Sequence, residues 1–170
     1  MPPPFRPLGE DCFVRELKST QWRRRILRVD MHHTYYPAHG DYKGLSSIEA
    51  MWRYHTLERQ FEDIAQHVSI APDGTLWSGR DFNKVPASVG GVLNRDAFMF
   101  EIIGNFDFGA DRLEGRQLAA TIFVIRAVQH LFGLPAEALL FHREVPVTDK
   151  TCPGTSVSKR VILDLVRAAP

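Results

Sequence analysis

The chain has 170 residues, 44% of them hydrophobic, which is enough apolar mass for one domain with a single core. Its 21 Lys and Arg nearly balance its 20 Asp and Glu, so it lacks the basic excess expected of a nucleic-acid-binding protein. No apolar stretch approaches the roughly 20 residues of a membrane-spanning helix, and the first residues lack the charged-then-apolar order of a signal peptide.

The first half of the chain predicts an arm, a strand, a helix and a hairpin, in that order. Residues 1–24 form the arm, which starts proline-rich and has room for a short helix at 14–22. Residues 26–32 mix apolar groups with partial alternation, which indicates a buried strand. Ser46 suits the N-cap of a helix of about three turns. Residues 64–77 predict a hairpin, because a Pro-Asp-Gly turn separates two apolar runs.

The second half holds the strongest strand and the strongest helix. Residues 97–104 are apolar on both faces, which predicts a central strand covered on each side. The apolar groups of residues 115–132 spread widely around a helix, which indicates that this helix is buried. The remaining predicted elements are a loop at 80–95, a short strand at 139–142, a second loop at 143–154 and an amphipathic helix at 156–168. Because strands and helices alternate, we expect one α/β domain over residues 25–170, with a mixed sheet flanked by helices.

Two histidine positions and one cysteine stand at or near strand ends and suggest a metal site. His142 ends a predicted strand, and the loop that follows brings back Cys152. Zinc accepts imidazole nitrogen and thiolate sulfur, and catalytic zinc sites use three protein ligands with one open position. The third ligand would be His32 or His33, and neighbouring strand residues point to opposite faces, so only one of the pair faces the metal. Each residue alone is more often structural, but the combination is specific.

The order and spacing of six short stretches resemble the type 2 N-acetylmuramoyl-L-alanine amidases. That superfamily also includes the animal peptidoglycan recognition proteins and phage endolysins. The resemblance runs from about Ile26 to Arg167 and implies a central mixed sheet packed by helices, with zinc in a groove at one edge of the sheet. The stretches that carry it are Val29–Thr34, Trp52–His55, Asp63–His67, Asp73–Arg80, Phe100–Asp107 and His142–Gly154.

The resemblance implies roles for individual residues. The family's three zinc ligands match His32, His142 and Cys152, and His33 then becomes a neighbour that points elsewhere. Lys150 matches a lysine common among endolysins and cytosolic muropeptide amidases. Such a lysine would stabilise the negative charge that develops on the substrate carbonyl oxygen. The alternative is that Lys150 is a solvated loop residue with no role in catalysis.

One position departs from part of the family and directs attention to a buried carboxylate. Many recognition proteins and phage lysozyme-amidases carry a catalytic tyrosine where this chain has Gln66. A second branch instead places a glutamate on the central strand, and Glu101 matches it. A glutamate in an apolar strand is costly unless it meets a cation or a water. Glu101 is therefore the predicted general base, and the structural alternative is a buried carboxylate bonded to backbone or to Arg80.

The predicted activity is zinc-dependent hydrolysis of the amide between N-acetylmuramic acid and L-alanine in peptidoglycan or muropeptides. The alternative is a module that binds peptidoglycan without cutting it; Gln66 favours this alternative, whereas the intact ligand set opposes it. The loop at 87–91 lacks a histidine common in the family, which leaves the glycopeptide preference open. We expect a monomer that is cytoplasmic, or that phage lysis or a secretion system delivers to the cell wall. We expect neither a nucleic-acid partner nor a membrane span.

Overall fold

A computed structural model of the protein describes residues 2–146 and 148–168. The strands are β1 (Pro7–Leu8), β2 (Arg28–His33), β3 (Val68–Ile70), β4 (Leu76–Ser78), β5 (Ala97–Ile102) and β6 (Leu139–Phe141). The helices are α1 (Glu10–Ser19), α2 (Leu45–Arg53), α3 (Gly115–Phe132) and α4 (Lys159–Ala168). A π-helical turn, Tyr54–Glu58, extends α2, and short 3₁₀ turns occupy His39–Asp41, Gly91–Asn94 and His142–Glu144. Among these described residues, no helix combines the length and apolarity that a membrane crossing requires.

The six strands form one mixed sheet in the order β1-β4-β3-β5-β2-β6. Strand β2 runs parallel to β5 and β6, and β3 runs parallel to β5, whereas β4 is antiparallel to β3 and β1. This arrangement confirms the predicted α/β class with a mixed sheet. Strand β5 lies inside the sheet, as predicted, and its apolar side chains are at most 2% exposed on either face.

The alternation of side chains along β2 separates a core face from a site face. Val29 and Met31 belong to the main core together with residues of α3, which packs against α1 and α4. Asp30 and His32 point to the opposite face of the sheet. A second, smaller apolar cluster includes Ile48 and other residues of α2. The polar groups of the site therefore lie on the face of the sheet that α3 leaves uncovered.

The longest helix begins and ends where the sequence predicts, whereas other elements shift by one or more residues; β5, for example, ends at Ile102 and not at residue 104. Helix α3 spans the predicted residues 115–132 and stops at Gly133, whose φ of 62° suits glycine best. Helix α1 begins at Glu10, before the predicted short helix, because Phe13 and Leu17 bury one side of it. Helix α4 begins at Lys159 and not at residue 156, since the backbone N–H and hydroxyl of Ser156 both donate to the Phe106 carbonyl.

Two arginines, the buried Arg80 and the half-buried Arg24, hold the long segment at 80–95, which is predicted as a loop. The guanidinium of Arg80 donates to the carbonyls of Asp63, Ile64 and Val85, at 3.0, 2.7 and 2.6 Å. The guanidinium of Arg24 donates to three more carbonyls at both ends of the segment, those of Phe82, Arg95 and Ala97. A guanidinium has five N–H donors, so one side chain can satisfy several carbonyls of an irregular backbone.

Candidate metal centre

The ends of two neighbouring parallel strands bring together the three predicted ligands. His32 lies near the end of β2, and His142 directly follows β6, the edge strand beside it. The backbone N–H of Arg143 donates to the Cys152 carbonyl at 2.9 Å, which returns the loop to the same edge. One potential ligand atom from each of His32, His142 and Cys152 lies within 4.8 Å of the other two. This spacing suits side chains that share one metal ion.

His33 points away from this cluster. Its Nδ1 accepts the Phe106 N–H at 3.2 Å, and its ring packs against the rings of Tyr35 and Phe106. Only its backbone turns toward the cluster, because the His33 N–H donates to the Cys152 sulfur at 3.4 Å. Of the two adjacent histidines, the geometry thus offers the His32 ring to a metal and gives the His33 ring a structural partner.

The electrostatics of the cluster favour neutral ligands. Burial, reinforced by His142 and His33, lowers the pKa of His32 to about 3. Burial and the charge of Lys150 also lower the pKa of His142. Both imidazoles therefore keep a free lone pair at neutral pH. Burial raises the pKa of the Cys152 thiol to about 12, so a metal ion must displace a proton from the sulfur as it binds.

Two residues behind His32, Ser88 and Asp30, are not predicted from the sequence as parts of the site. The Nε2 atom of His32 lies 2.8 Å from the Ser88 hydroxyl, which donates to Asp30 at 2.7 Å. Asp30 is fully buried and pairs with Arg28 at 2.7 Å. The one sequence signal for this arrangement is a carboxylate inside an otherwise apolar strand, next but one to a candidate ligand. Ser88 gives no signal, because it lies in a loop without periodicity.

Glu101 lies on the same face of the sheet as His32. The two residues are register partners across β2 and β5, and Ser69 of β3 is the partner of Glu101 on its other side. The Glu101 carboxylate makes no hydrogen bond or ion pair to the residues that the structure describes, and its burial raises its pKa to about 7. The alternative pairing of Glu101 with Arg80 is wrong, since that guanidinium is engaged with backbone carbonyls.

Gln66 and His67 fill structural positions next to Ser69. Gln66 is fully buried and donates to the Ser69 hydroxyl at 2.8 Å, so it has no access to solvent or to a ligand. The His67 ring is also fully buried, with Nδ1 accepting the Met99 N–H and Nε2 within 3.0 Å of the Lys84 carbonyl. Both ring nitrogens of His67 are thereby occupied by the backbone.

Lys150 lies at the solvent-exposed side of the cluster. Its backbone N–H donates to the Thr148 hydroxyl at 3.2 Å, and its side chain is exposed. Its positive charge contributes to the lowered pKa of His142, so the ammonium group lies within electrostatic reach of the candidate ligands. The structure thus places Lys150 near the cluster without fixing it through an ion pair.

A cavity of about 730 Å³ reaches Glu101, the register partner of His32, although none of the three candidate ligands lines it. Glu101 lines it, together with the segment Thr34–Pro37 that follows β2 and with residues of α2 and its π-helical turn. Asp41 and Lys43 add charges of both signs. A volume of this size is typical of pockets that hold a small ligand or a short peptide.

A comparison with known protein families gives a match over most of the chain. Residues 22–155 match the family described as N-acetylmuramoyl-L-alanine amidase. Peptidoglycan-recognition protein LB of Drosophila melanogaster is 32% identical over an alignment of 156 residues, which covers 83% of this chain, and the chain spans 65% of that protein's length.

Solved structures show the same fold. A variant of Drosophila PGRP-LB in complex with tracheal cytotoxin matches with a TM-score of 0.69 and 27% identity, over 84% of this chain and 83% of that one. The endolysin amidase LysCS from Clostridium intestinale matches with a TM-score of 0.69 and 21% identity, over 86% of each chain. The chain therefore belongs to the N-acetylmuramoyl-L-alanine amidase family, within the superfamily that includes the peptidoglycan recognition proteins.

Proposed function

We propose that the protein is a zinc-dependent amidase that hydrolyses the bond between N-acetylmuramic acid and L-alanine. The observation that carries this proposal is the convergence of His32, His142 and Cys152, with ligand atoms within 4.8 Å of one another. Two neutral imidazoles and a thiol are donors that zinc prefers. Three ligands also leave one coordination position open, as in catalytic sites, whereas structural zinc sites usually close with four protein ligands.

The residues around the cluster suit the hydrolysis of an amide. When bound, Zn²⁺ supplies a Lewis acid that lowers the pKa of a coordinated water to about 7. Glu101 faces the cavity with an unpaired carboxylate whose pKa is about 7, which suits a base that takes a proton from water and returns it to the leaving amine. The ammonium of Lys150 would stabilise negative charge on the carbonyl oxygen.

The cavity supports a muropeptide as substrate. Its lining combines Glu101, residues of α2, three tyrosines, Asp41 and Lys43. Such a lining can hydrogen-bond a peptide stem and pair with its charged ends. The Drosophila relative that was solved in complex with tracheal cytotoxin also supports a ligand of this kind.

A peptidoglycan-binding module without catalysis is the second candidate function. Gln66 favours it, because a buried amide bonded to Ser69 cannot supply the phenol that one family branch uses at this position. The complete ligand set and the free Glu101 carboxylate favour the enzyme. The two candidates differ in one measurable property, the release of a free peptide.

Metal content tests the ligand set. The purified protein should hold about one zinc per chain, as in mononuclear catalytic sites. Either Cys152→Ser or His142→Ala should lose most of it, because two ligands hold zinc much more weakly than three. Full occupancy in either variant, measured by mass spectrometry of the metal, would remove the assignment.

Product analysis tests the reaction. Purified muropeptides incubated with the protein should yield a free peptide that begins with L-alanine and a sugar that keeps its lactyl group. A chelator should abolish this release and added zinc should restore it. Binding of muropeptides without any release, by the zinc-loaded protein, would establish the recognition module instead.

A further inference from the structure

A chain of hydrogen bonds leads from the His32 ring, away from the metal cluster, to a buried ion pair. Arg28 holds Asp30 through two contacts, Nε to Oδ1 at 2.7 Å and Nη2 to Oδ2 at 3.3 Å. The Ser88 hydroxyl donates to Oδ2 of Asp30 at 2.7 Å and lies 2.8 Å from Nε2 of His32. The order along this relay is Arg28, Asp30, Ser88 and His32.

The hydrogen-bonding capacity of each group in this relay determines where the protons lie. A carboxylate paired with a guanidinium accepts hydrogen bonds and donates none. The single proton of the Ser88 hydroxyl is used on Asp30, so the Ser88 oxygen must accept from His32. Nε2 therefore carries the ring proton of the neutral imidazole. The other nitrogen, Nδ1, keeps a free lone pair, and it lies 3.3 Å from the sulfur of Cys152.

We propose that Ser88 is a positioning residue that fixes the tautomer of His32 and thereby makes Nδ1 its metal-binding nitrogen. This inference rests on the zinc site of the proposed function, but not on the hydrolysis. In metalloproteins, groups that hydrogen-bond the second nitrogen of a histidine ligand orient the ring and increase its affinity for metal. Here a serine hydroxyl carries that interaction from Asp30 to the ring.

The loop that carries Ser88 is ordered by contacts that do not involve the hydroxyl. The side-chain oxygen of Asn94 accepts the N–H groups of Val89 and Gly90, each at 2.9 Å. Arg80 holds the Val85 carbonyl on the other side of Ser88. Asn94→Ala therefore loosens the loop while it leaves the relay's own side chains in place, which makes it a matched control for Ser88→Ala.

Nuclear magnetic resonance of the metal-free full chain tests the tautomer directly. With ¹⁵N-labelled histidine, long-range proton–nitrogen spectra should show His32 protonated on Nε2 in the wild type and in Ser88→Thr. Ser88→Ala should lose this preference, and Asn94→Ala should keep it. This readout requires neither zinc binding nor activity, so it separates failure of the relay from failure of the proposed enzyme.

Zinc affinity, measured by competition with a chromophoric chelator, is the second readout. Loss of such a supporting contact typically weakens metal binding by about 10- to 100-fold, which is the loss expected for Ser88→Ala. Ser88→Thr should restore the affinity, and Asn94→Ala should stay within about threefold of wild type. The proposal is overturned if Ser88→Ala keeps both the Nε2 tautomer and the wild-type affinity. It is also overturned if Asn94→Ala shifts the tautomer as much as Ser88→Ala, because loop order would then account for both effects.

Discussion

At the scale of single residues, the unpaired carboxylate of Glu101 is the group on which the proposed hydrolysis would depend. Burial raises the pKa of this carboxylate to about 7, and no described side chain forms a hydrogen bond or ion pair with it. Glu101→Gln keeps the shape of the side chain and removes its basicity, so zinc should remain bound. We expect kcat to fall by about 10²–10⁴-fold, the usual contribution of a general base.

The matched control for this substitution is Gln66→Ala. Gln66 is fully buried and bonded to Ser69, so its loss should affect folding stability more than turnover. Steady-state hydrolysis of a muropeptide by the zinc-loaded variants measures turnover, and urea unfolding of the same variants measures stability. Near-wild-type turnover in Glu101→Gln would show that another group moves the proton.

At the scale of elements, the register of β2 assigns different tasks to its two histidines. His32→Ala should lose most of the bound zinc, whereas His33→Ala should retain it. His33→Ala removes the acceptor of the buried Phe106 N–H, and an unsatisfied buried donor costs about 1–3 kcal/mol of unfolding free energy. Zinc analysis and thermal unfolding of the two variants check this division. The opposite pattern would mean that the strand is shifted by one residue.

The loop that follows Cys152 depends on a close approach that only glycine permits. Gly154 has a φ of 114°, and a Cβ atom there would lie 2.3 Å from the Phe106 carbonyl oxygen. Gly154→Ala should therefore displace the loop and weaken zinc binding. Gly109 has a similar φ of 88° with no atom near its Cβ position, so Gly109→Ala should cost only the backbone strain, about 1–2 kcal/mol. Equal zinc affinities in the two variants would contradict this account.

The sequence pattern predicts best those elements that are rich in buried residues. The apolar groups of α3 and the glycine after it define both ends of that helix, and the run of apolar residues in β5 marks an interior strand. The π-helical turn Tyr54–Glu58 could not be predicted, since the 3.6-residue pattern of α2 simply continues through it. The start of α4 depends on a contact with Phe106, which is distant in sequence.

In the candidate site, too, some features follow from the local sequence pattern and others depend on contacts between residues that are distant in sequence. Strand ends and residue chemistry predict His142, Cys152 and either His32 or His33 as possible partners. The structure brings His32 together with the other two, although their role as ligands stays a prediction. The relay through Ser88 joins residues 58 positions apart, and no local pattern encodes such a contact. The choice of His32 over His33 came from family resemblance, because alternation alone shows only that the two rings diverge.

At the scale of the whole molecule, buried neutral histidines make the fold sensitive to acid. Burial lowers the pKa of His67 to about 3, compared with 6.5 in an unfolded chain. Between these values the unfolded state binds a proton that the folded state does not, so stability falls as pH drops from about 6.5 toward 3. Each such histidine contributes a slope of about 1.4 kcal/mol per pH unit. His55, whose pKa is lowered to about 4, acts in the same direction.

Urea unfolding of the metal-free protein at a series of pH values measures this loss. His67→Gln removes one titrating group, so its unfolding free energy should depend less steeply on pH below 6.5 than that of the wild type. The absolute stability of the variant will be lower at neutral pH, but the slope is the relevant quantity. Identical slopes would show that His67 takes up its proton without unfolding.

The contacts of Arg24 and Arg80 have a consequence for the site. Together the two side chains bind six carbonyls, which tie the segment at 80–95 to the residues before β3 and to the start of β5. Ser88 lies on that segment, so these contacts also fix the position of the hydroxyl behind His32 relative to the sheet. If the protein binds a muropeptide, we expect the ligand to approach from the opposite side, where α2 and Glu101 line the cavity.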